Sequence, residues 1–319
     1  MTNTRRKLAI SSFWPLQAEL TAKIAATAPG YDLLDLSTNP TDEQLAECEI
    51  LFGNVKADII SKMPNLKWVH SQTAGVEIYL DPPLPSDIML TNSSGAYGIT
   101  IAEHMLLFTL MLLRNSGVSF SQQCEHVWKS YTSRNLYNLK VTVVGLGDIG
   151  GRYAMLCHTM GAAVNGVVRS PRSNKPQYVD NLFTSGQLDE AIRDADIVAL
   201  ALPGTGETAG ILSRERLEGM KKGALIINVG RGSAIDQDAL IELLQSRHIG
   251  GAALDVTSPE PLPPTSPLWD MPNVIITPHV SNGGHDNITK FVIDVFVRNL
   301  TDYLNGRPFG RTVDRSAGY

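Results

Sequence analysis

The sequence predicts an α/β protein of two lobes, each with a mostly parallel sheet. Short apolar runs alternate with helical stretches along the chain, which is typical of βαβ units and parallel sheets. A glycine-rich turn stands near the middle, so that one complete α/β unit precedes it. The length of 319 residues exceeds that of one ordinary domain and also suggests two.

The first lobe is predicted from short apolar runs that precede the glycine turn. Apolar residues recur at helical spacing across 16–28. A long helix is predicted at 100–114; it is apolar on all sides and, at about fifteen residues, too short for a membrane span. We therefore expect it to be buried at an interdomain or subunit interface. The predicted strands of this lobe are 7–12, 33–36, 49–53, 66–70 and 88–92.

The central turn has the pattern G-x-G-x-x-G between an apolar run at 141–144 and a helical stretch at 153–157. Gly145 permits a tight turn, and Gly147 lets the backbone approach a pyrophosphate closely. Gly150 lets the helix pack on the strand, and the amides that open the helix face the phosphates. The sequence therefore predicts a Rossmann-like dinucleotide-binding lobe at this turn, with Asp148 and Ile149 among its cofactor-binding residues.

Five further strands and a last helix complete the predicted organisation. The helix, 286–305, is amphipathic and ends before Gly306 and Pro308. We expect a dinucleotide-binding domain, 101–284, inserted into a flavodoxin-like substrate domain formed by 1–100 and 285–319. The predicted strands of the inserted domain after the glycine turn are 163–168, 196–202, 224–229, 250–255 and 273–277.

The loop after the second strand of the inserted domain indicates which cofactor is bound. A carboxylate at this position usually binds the ribose hydroxyls of NAD. Here the strand 163–168 runs instead into Arg169, Ser170 and Arg172. Two guanidinium groups and a hydroxyl suit a 2′-phosphate, which arginine binds through paired, charge-assisted hydrogen bonds. We therefore favour NADP(H), while NAD(H) stays possible.

Three later strands each end in a residue suited to catalysis. Arg231 follows one apolar strand, Glu260 lies in the proline-rich loop after the next, and His279 follows a third. Ligands of open α/β sheets sit outside the carboxyl ends of the strands, so these side chains can converge on one site. Arginine can clamp the carboxylate of a 2-keto acid, and histidine can exchange the proton of its keto oxygen. A carboxylate beside the imidazole orients it and favours its protonated form.

These segments together resemble the D-isomer-specific 2-hydroxyacid dehydrogenase family, along nearly the whole chain and most strongly from Gly145 to His279. The matching segments are Gly145-Leu-Gly147-Asp-Ile-Gly150, Leu202-Pro-Gly-Thr-Gly-Glu-Thr208, Asn228-Val-Gly-Arg231-Gly, Leu254-Asp255-Val with Glu260-Pro-Leu262, and Thr277-Pro-His279. The resemblance implies a D-2-hydroxy acid product and a catalytic set of Arg231, Glu260 and His279.

The resemblance also implies further contacts with cofactor and substrate. Asp255 would hold the nicotinamide carboxamide, and Thr100 would lie near the cofactor. Ala74 and Gly75 resemble the family's substrate loop, whose amides bind the carboxylate together with Arg231 and His279. Similar proteins are homodimers that use a helix like 100–114 at their interface. The remaining predicted cofactor contacts are Leu202, Pro203, Thr208, Val229 and Gly230. Gly204 and Gly206 make the loop 203–208 more flexible than is usual for the family.

Composition limits the other partners. The chain has 27 Lys and Arg against 32 Asp and Glu, a net charge of -5, which does not favour nucleic acid or an anionic membrane. Its 3 cysteines form neither a C-x-x-C nor a zinc spacing, so we expect reduced thiols and no metal. The apolar stretch near the N-terminus is shorter than a signal-peptide core. We therefore expect a cytoplasmic protein.

Several alternatives stay open. An NAD-linked 2-hydroxyacid dehydrogenase of another substrate range is one, because the sequence does not size the substrate pocket. A binding protein that senses NAD(H), like the corepressors that resemble this family, is another. A formate dehydrogenase of similar fold is disfavoured because Glu260 stands where we would expect an amide. A phosphoglycerate dehydrogenase with a regulatory domain is disfavoured by the lack of a long C-terminal extension.

Overall fold

The computed structural model describes residues 6–282 and 285–318, and side chains in all of these except 285–287. The chain divides into two compact units, one of Met1–Tyr97 with Gly284–Tyr319 and one of Gly98–Gly283. Each unit contains a parallel sheet with helices, which confirms the predicted fold class. The first division falls where a helix begins at Gly98, slightly before the boundary at 101 that the sequence suggests. A substrate role for the first unit and a nucleotide role for the second stay predictions.

From residue 6, where the described part of the chain starts, to residue 97, the first unit has five strands and three helices. In chain order these are β1 (Arg6–Ser11), α1 (Ala18–Thr27), β2 (Tyr31–Asp35), α2 (Asp42–Ala46), β3 (Cys48–Gly53), α3 (Ala57–Ile60), β4 (Trp68–Ser71) and β5 (Met89–Asn92). The strands pair in the parallel order β2-β1-β3-β4-β5, which is the order of flavodoxin-like folds. All six residues of β3 are buried, because a central strand of a parallel sheet is covered on both faces.

Over its described residues, 98–282, the second unit has seven strands and six helices. In chain order these are α4 (Gly98–Leu113), α5 (Ser116–Cys124), β6 (Lys140–Val144), α6 (Asp148–Thr159), β7 (Ala163–Val168), β8 (Asn181–Thr184), α7 (Leu188–Arg193), β9 (Ile197–Leu200), α8 (Arg214–Glu218), β10 (Ala224–Asn228), α9 (Gln237–Gln245), β11 (Ile249–Leu254) and β12 (Val274–Ile276). They pair in the parallel order β12-β11-β10-β9-β6-β7-β8. The strand order reverses between β6 and β9, and ligands of open α/β sheets bind at such a switch point.

The chain then returns to the first unit with α10 (His285–Leu304). Phe296 of α10 packs on two aromatic residues of the first sheet, with ring centroids 4.6 Å from Phe52 and 5.5 Å from Trp68. Short 3₁₀ turns complete the structure at Leu36–Thr38, Glu77–Tyr79, Ser185–Gln187, Gly232–Ala234 and Pro267–Asp270.

The elements differ from the sequence-based prediction in a few places. The strand β8 was not predicted, because its four residues pair only with β7 at the edge of the sheet and lack a continuous apolar run. The strands predicted at 196–202 and 273–277 are shorter, since residues beyond Leu200 and Ile276 turn away into loops.

The apolar helix α4 packs against α6 and against β10, β11 and β12 in its own unit. Ile99 and Leu107 remain exposed on it. In the described parts of the chain, no helix combines the length and apolar character needed to cross a bilayer.

His70 of β4 is fully buried, and its hydrogen bonds define its protonation. The amide Nδ2 of Asn299, which can only donate, lies 3.4 Å from Nδ1 of His70, so Nδ1 is an acceptor and also takes the proton of the Thr91 hydroxyl, 2.7 Å away. The hydroxyl of Ser93 donates to a backbone carbonyl, so Nε2 of His70 donates to it at 3.1 Å. The imidazole is therefore neutral and protonated on Nε2.

We expect His70 to make the first unit less stable in acid. Burial lowers the pKa of His70 to about 3, whereas an unfolded histidine has a pKa of about 6.5. Between these values the unfolded chain binds more protons, so the contribution is complete above pH 6.5 and is lost as the pH falls towards 3. His70→Gln should lower the free energy of unfolding at pH 7 by about 1–3 kcal/mol. The substitution should also reduce the slope of the free energy of unfolding against pH between pH 4 and 6.5, as measured by urea unfolding. Equal slopes for both proteins would contradict this account.

Candidate active site

The glycine turn after β6 has the geometry of a phosphate cradle. Gly145 has a φ of 98°, and a Cβ there would lie 2.6 Å from the carbonyl oxygen of Ala201. A Cβ on Gly150 would lie 1.9 Å from the carbonyl oxygen of Gly145, so the helix packs directly on the turn. At Gly147 a Cβ would meet no atom of the described chain within 4 Å, and α6 begins at the next residue. The open position before the helix N-terminus fits the pyrophosphate of a dinucleotide.

Asp148 opens α6, and its carboxylate contacts neighbouring residues of the protein. Its Oδ1 accepts a hydrogen bond from Nε of Arg152 at 3.0 Å. Its carboxylate lies against Gly98, where a Cβ would be 2.3 Å from Oδ2. Asp148 and Ile149 would therefore bind a phosphate through their backbone amides.

The two arginines of the basic loop after β7 bind groups on neighbouring loops. The guanidinium of Arg169 lies 3.0 Å from Oε1 of Glu207, which belongs to the loop after β9. Nη1 of Arg172 donates to the carbonyl oxygen of Leu146, inside the glycine turn, at 3.3 Å. Ser170 is exposed between them. The loop thus presents two guanidinium groups beside the cradle.

The loop 203–208 is closed by its last residue. The hydroxyl of Thr208 donates to the carbonyl of Pro203 at 2.7 Å and accepts from the amide of Thr205 at 2.9 Å. These bonds hold the loop together despite its two glycines. Leu202 lies beside Gly230, where a Cβ would be 2.6 Å from the Leu202 carbonyl oxygen. The amide of Val229, just before Gly230, donates to the carbonyl of Leu200 in β9 at 3.2 Å.

Arg231 stands on a turn that a buried amide fixes. The side chain of Asn228, the last residue of β10, accepts from the amide of Gly230 at 3.0 Å and donates to the carbonyl of Arg231 at 2.8 Å. Nη1 of Arg231 donates to the carbonyl of Gly230 at 2.7 Å, and the side chain is half-buried. The sequence did not single out Asn228, although a polar residue that ends an apolar strand is a signal for such a role.

The loop that carries Glu260 is held against the Arg231 turn. A Cβ on Gly232 would lie 1.9 Å from the carbonyl oxygen of Thr257, so the two backbones are in direct contact. The amide of Thr257 donates to Oε1 of Glu260 at 3.1 Å. Gln237 of α9 makes two hydrogen bonds with the backbone of Ser258, at 2.8 and 3.0 Å. The hydrogen bond from the amide of Thr257 to Oε1 therefore fixes the position of the Glu260 carboxylate.

The other oxygen of Glu260 lies 3.0 Å from Nδ1 of His279. Because a carboxylate only accepts, Nδ1 carries the proton, and Nε2 is the atom that can take up or release one. The two side chains are 40% and 52% exposed, so the pair is accessible to a small substrate. An oriented histidine of this kind can act as a general acid or base.

Asp255 holds the backbone around His279. Its buried carboxylate accepts from the amides of Val280 and Ser281, at 2.9 and 3.1 Å, and from the hydroxyl of Thr277 at 2.6 Å. Its carbonyl accepts from the amide of His279 at 2.9 Å. The nicotinamide contact of Asp255 stays a prediction.

His104 of α4 joins this network and was missed in the sequence. Its Nε2 lies 3.3 Å from the hydroxyl of Thr277, and since that hydroxyl donates to Asp255, Nε2 is the donor. Burial lowers the pKa of His104, and the charge of Asp255 opposes the shift. Thr100, a predicted cofactor contact, lies one turn earlier on the same helix. Their spacing of four residues places both on one face of α4, a signal present in the sequence.

Ala74 and Gly75, the predicted substrate loop, lie in the first unit after β4. Their carbonyl oxygens accept hydrogen bonds from Asn92 at 2.7 Å and from Thr73 at 2.6 Å. Within the residues that the structure describes, the amides of Ala74 and Gly75 donate to no acceptor. Backbone amides of this kind suit a carboxylate.

The structure thus places Arg231, Glu260 and His279 after three neighbouring strands, β10, β11 and β12. The close contact between Gly232 and Thr257 connects the first two of these segments, and the hydrogen bond between Glu260 and His279 connects the last two.

Comparison with known proteins supports a dehydrogenase. Residues 106–281 match the family model described as D-isomer specific 2-hydroxyacid dehydrogenase, NAD binding domain. A glyoxylate reductase from Thermofilum pendens is 30% identical over 281 residues, covering 85% of this chain and 81% of the relative.

Solved structures agree along almost the entire chain. A D-isomer specific 2-hydroxyacid dehydrogenase from Xanthobacter autotrophicus, in complex with NADPH and MES, has a TM-score of 0.86 at 30% identity and covers 99% of this chain and 100% of its own. An NADPH-dependent glyoxylate/hydroxypyruvate reductase from Sinorhizobium meliloti, in complex with NADP and sulfate, has a TM-score of 0.85 at 28% identity, covering 98% and 100%.

Gly232→Ala tests the contact between the Arg231 turn and the Glu260 loop. The added Cβ must displace the Thr257 backbone, so we expect a loss of about 1–3 kcal/mol in the free energy of unfolding. Gly186→Ala in the same unit is the control, because its Cβ would lie 4.0 Å from the nearest atom. Denaturant unfolding of both variants measures the difference. A Gly232→Ala variant as stable as the control would refute the close approach.

Proposed function

Because this chain belongs to the D-isomer specific 2-hydroxyacid dehydrogenase family, we propose that it reduces a small 2-keto acid to a D-2-hydroxy acid with NADPH. The family makes it an NAD(P)-dependent oxidoreductase. Glyoxylate and hydroxypyruvate are the proposed substrates. The observation that carries this proposal is the hydrogen bond between Glu260 and Nδ1 of His279, which leaves Nε2 for proton exchange.

Each residue of the set has one task in the proposed reaction. A nicotinamide held at this site would supply the hydride that reduces the keto carbon. Arg231 binds the substrate carboxylate through two parallel hydrogen bonds. Protonated His279 gives the proton on Nε2 to the keto oxygen, and Glu260 stabilises the imidazolium through Nδ1. In the oxidative direction His279 must be neutral and accept the hydroxyl proton.

The cofactor preference is proposed from the loop after β7. Arg169 and Arg172 stand where NAD-binding folds usually have an acid, and Arg172 already contacts the glycine turn. Two structural relatives, 30% and 28% identical, are in complex with NADPH and NADP. NAD(H) is the alternative cofactor.

The proposed substrates rest on the relatives and on the chemistry of the site. The relatives from Thermofilum pendens and Sinorhizobium meliloti are named for glyoxylate, and the second also for hydroxypyruvate. Both compounds are 2-keto acids, whose carboxylate and keto oxygen suit Arg231 and His279.

A panel of 2-keto acids tests the function. We expect turnover of glyoxylate and hydroxypyruvate with NADPH, with a higher kcat/KM than with NADH. His279→Ala should lower kcat by about 10²- to 10⁴-fold, because the keto oxygen loses its proton donor. Pyruvate and phenylpyruvate test wider substrate ranges. Tight nucleotide binding without turnover of any 2-keto acid would instead favour a nucleotide-sensing protein.

Arg231→Ala tests the carboxylate clamp. Loss of two charge-assisted hydrogen bonds should lower kcat/KM for the keto acid by about 10²-fold or more, with the Kd of NADPH kept. Arg214→Ala is the matched control, since Arg214 forms an exposed ion pair with Glu242 at 2.7 Å. Steady-state kinetics and fluorescence titration separate the two effects. An equal collapse of cofactor affinity would show that the clamp is wrongly assigned.

A further inference from the structure

We propose that Glu207 sets the preference between NADPH and NADH by competing with the 2′-phosphate for Arg169. This inference rests on the proposed function, because it concerns the cofactor site of the same enzyme. Glu207 lies in the family-matching segment 202–208, but the sequence assigned it no role. Its carboxylate lies 3.0 Å from Nη2 of Arg169.

The ion pair joins the loops on either side of the glycine turn. Arg169 directly follows β7, and Glu207 lies in the loop after β9. In the sheet both strands are neighbours of β6, whose carboxyl end carries the glycine turn. Strands on either side of a common neighbour are about 10 Å apart, so the two side chains together span the width of the site. The adenosine end of a dinucleotide held by this turn lies between the same loops.

A 2′-phosphate and the carboxylate of Glu207 are both anions that pair with Arg169, so they compete for it. The phosphate carries up to two negative charges and pairs with the guanidinium, as the carboxylate of Glu207 does. Binding of NADPH must therefore displace Glu207 or place the phosphate close to a like charge. Either outcome weakens NADPH binding compared with the same loop without the carboxylate.

NADH would interact differently with the ion pair of Arg169 and Glu207. It has a 2′-hydroxyl, which can donate to a carboxylate as it does to the acid after the second strand of NAD-binding folds. That acid is absent after β7, and Glu207 brings a carboxylate to this place from the opposite loop. The pair consequently restrains the preference for NADPH and keeps NADH usable.

The position of Glu207 is fixed by the next residue. Thr208 closes the loop through its bonds to Pro203 and Thr205, so the backbone of Glu207 is held although Gly206 precedes it. The side chains of Arg169 and Glu207 are 49% and 66% exposed. An ion pair with this exposure is weak, so a bound phosphate can break it.

The test is direct binding of both nucleotides to the full chain, measured by calorimetry. Glu207→Gln should raise the ratio of the Kd of NADH to the Kd of NADPH by about three- to fivefold, the upper part of the range expected for an exposed ion pair. Arg169→Gln should lower that ratio. In the Arg169→Gln background, adding Glu207→Gln should raise the ratio by less than about twofold, because the competition for Arg169 no longer exists and only the direct effect of the carboxylate on the 2′ group remains.

Glu242→Gln is the matched control, because it also removes one exposed carboxylate paired with an arginine, between α8 and α9. Its ratio should equal that of the wild type. An unchanged ratio in Glu207→Gln would overturn the inference while the proposed function stands. The same increase in the Arg169→Gln background would also overturn it, because the carboxylate would then act through general repulsion. A wild-type chain that binds neither nucleotide would overturn the proposed function as well.

Discussion

The candidate active site depends on the carboxylate of Asp255. His279 has a φ of 53°, a left-handed backbone that costs a residue with a side chain about 1–3 kcal/mol. Four hydrogen bonds to Asp255 offset this cost: two backbone amides and one hydroxyl bind its carboxylate, and the amide of His279 binds its carbonyl. The carboxylate is 1% exposed, so no solvent competes with these bonds. They direct the imidazole towards Glu260.

Close backbone contacts also hold the neighbouring loops together along the carboxyl edge of the sheet. Gly145 packs on Ala201, Gly230 on Leu202, and Gly232 on Thr257. Each contact joins the loops of different strands, and each leaves no room for a Cβ. Parallel strands place all their carboxyl ends on one edge, so glycines at these ends allow loops far apart in sequence to form one surface. The same topology brings Glu207 to Arg169.

Much of this arrangement could be predicted from the sequence, and the rest depends on tertiary contacts. Continuous apolar runs identify buried parallel strands, and a catalytic residue type directly after such a run is visible without a structure, as with Arg231 and His279. The edge strand β8 has no such run. The pairing of Arg169 with Glu207 joins residues 38 apart in sequence, and only the strand order brings them together. Asn228 was visible as a polar strand end, but its role required the geometry of the turn.

The helix α4 is mostly apolar, but two of its residues contact polar groups of the candidate active site. Its first residue, Gly98, contacts the carboxylate of Asp148 at the start of α6, and His104 donates to Thr277 two turns later. One rigid helix therefore contacts both the nucleotide-binding turn and the network that holds the catalytic histidine. The hydroxyl of Thr277 has only one proton and gives it to Asp255, so His104 must keep its proton on Nε2. Burial lowers the pKa of His104 and so favours its neutral ring, although the charge of Asp255 opposes this shift.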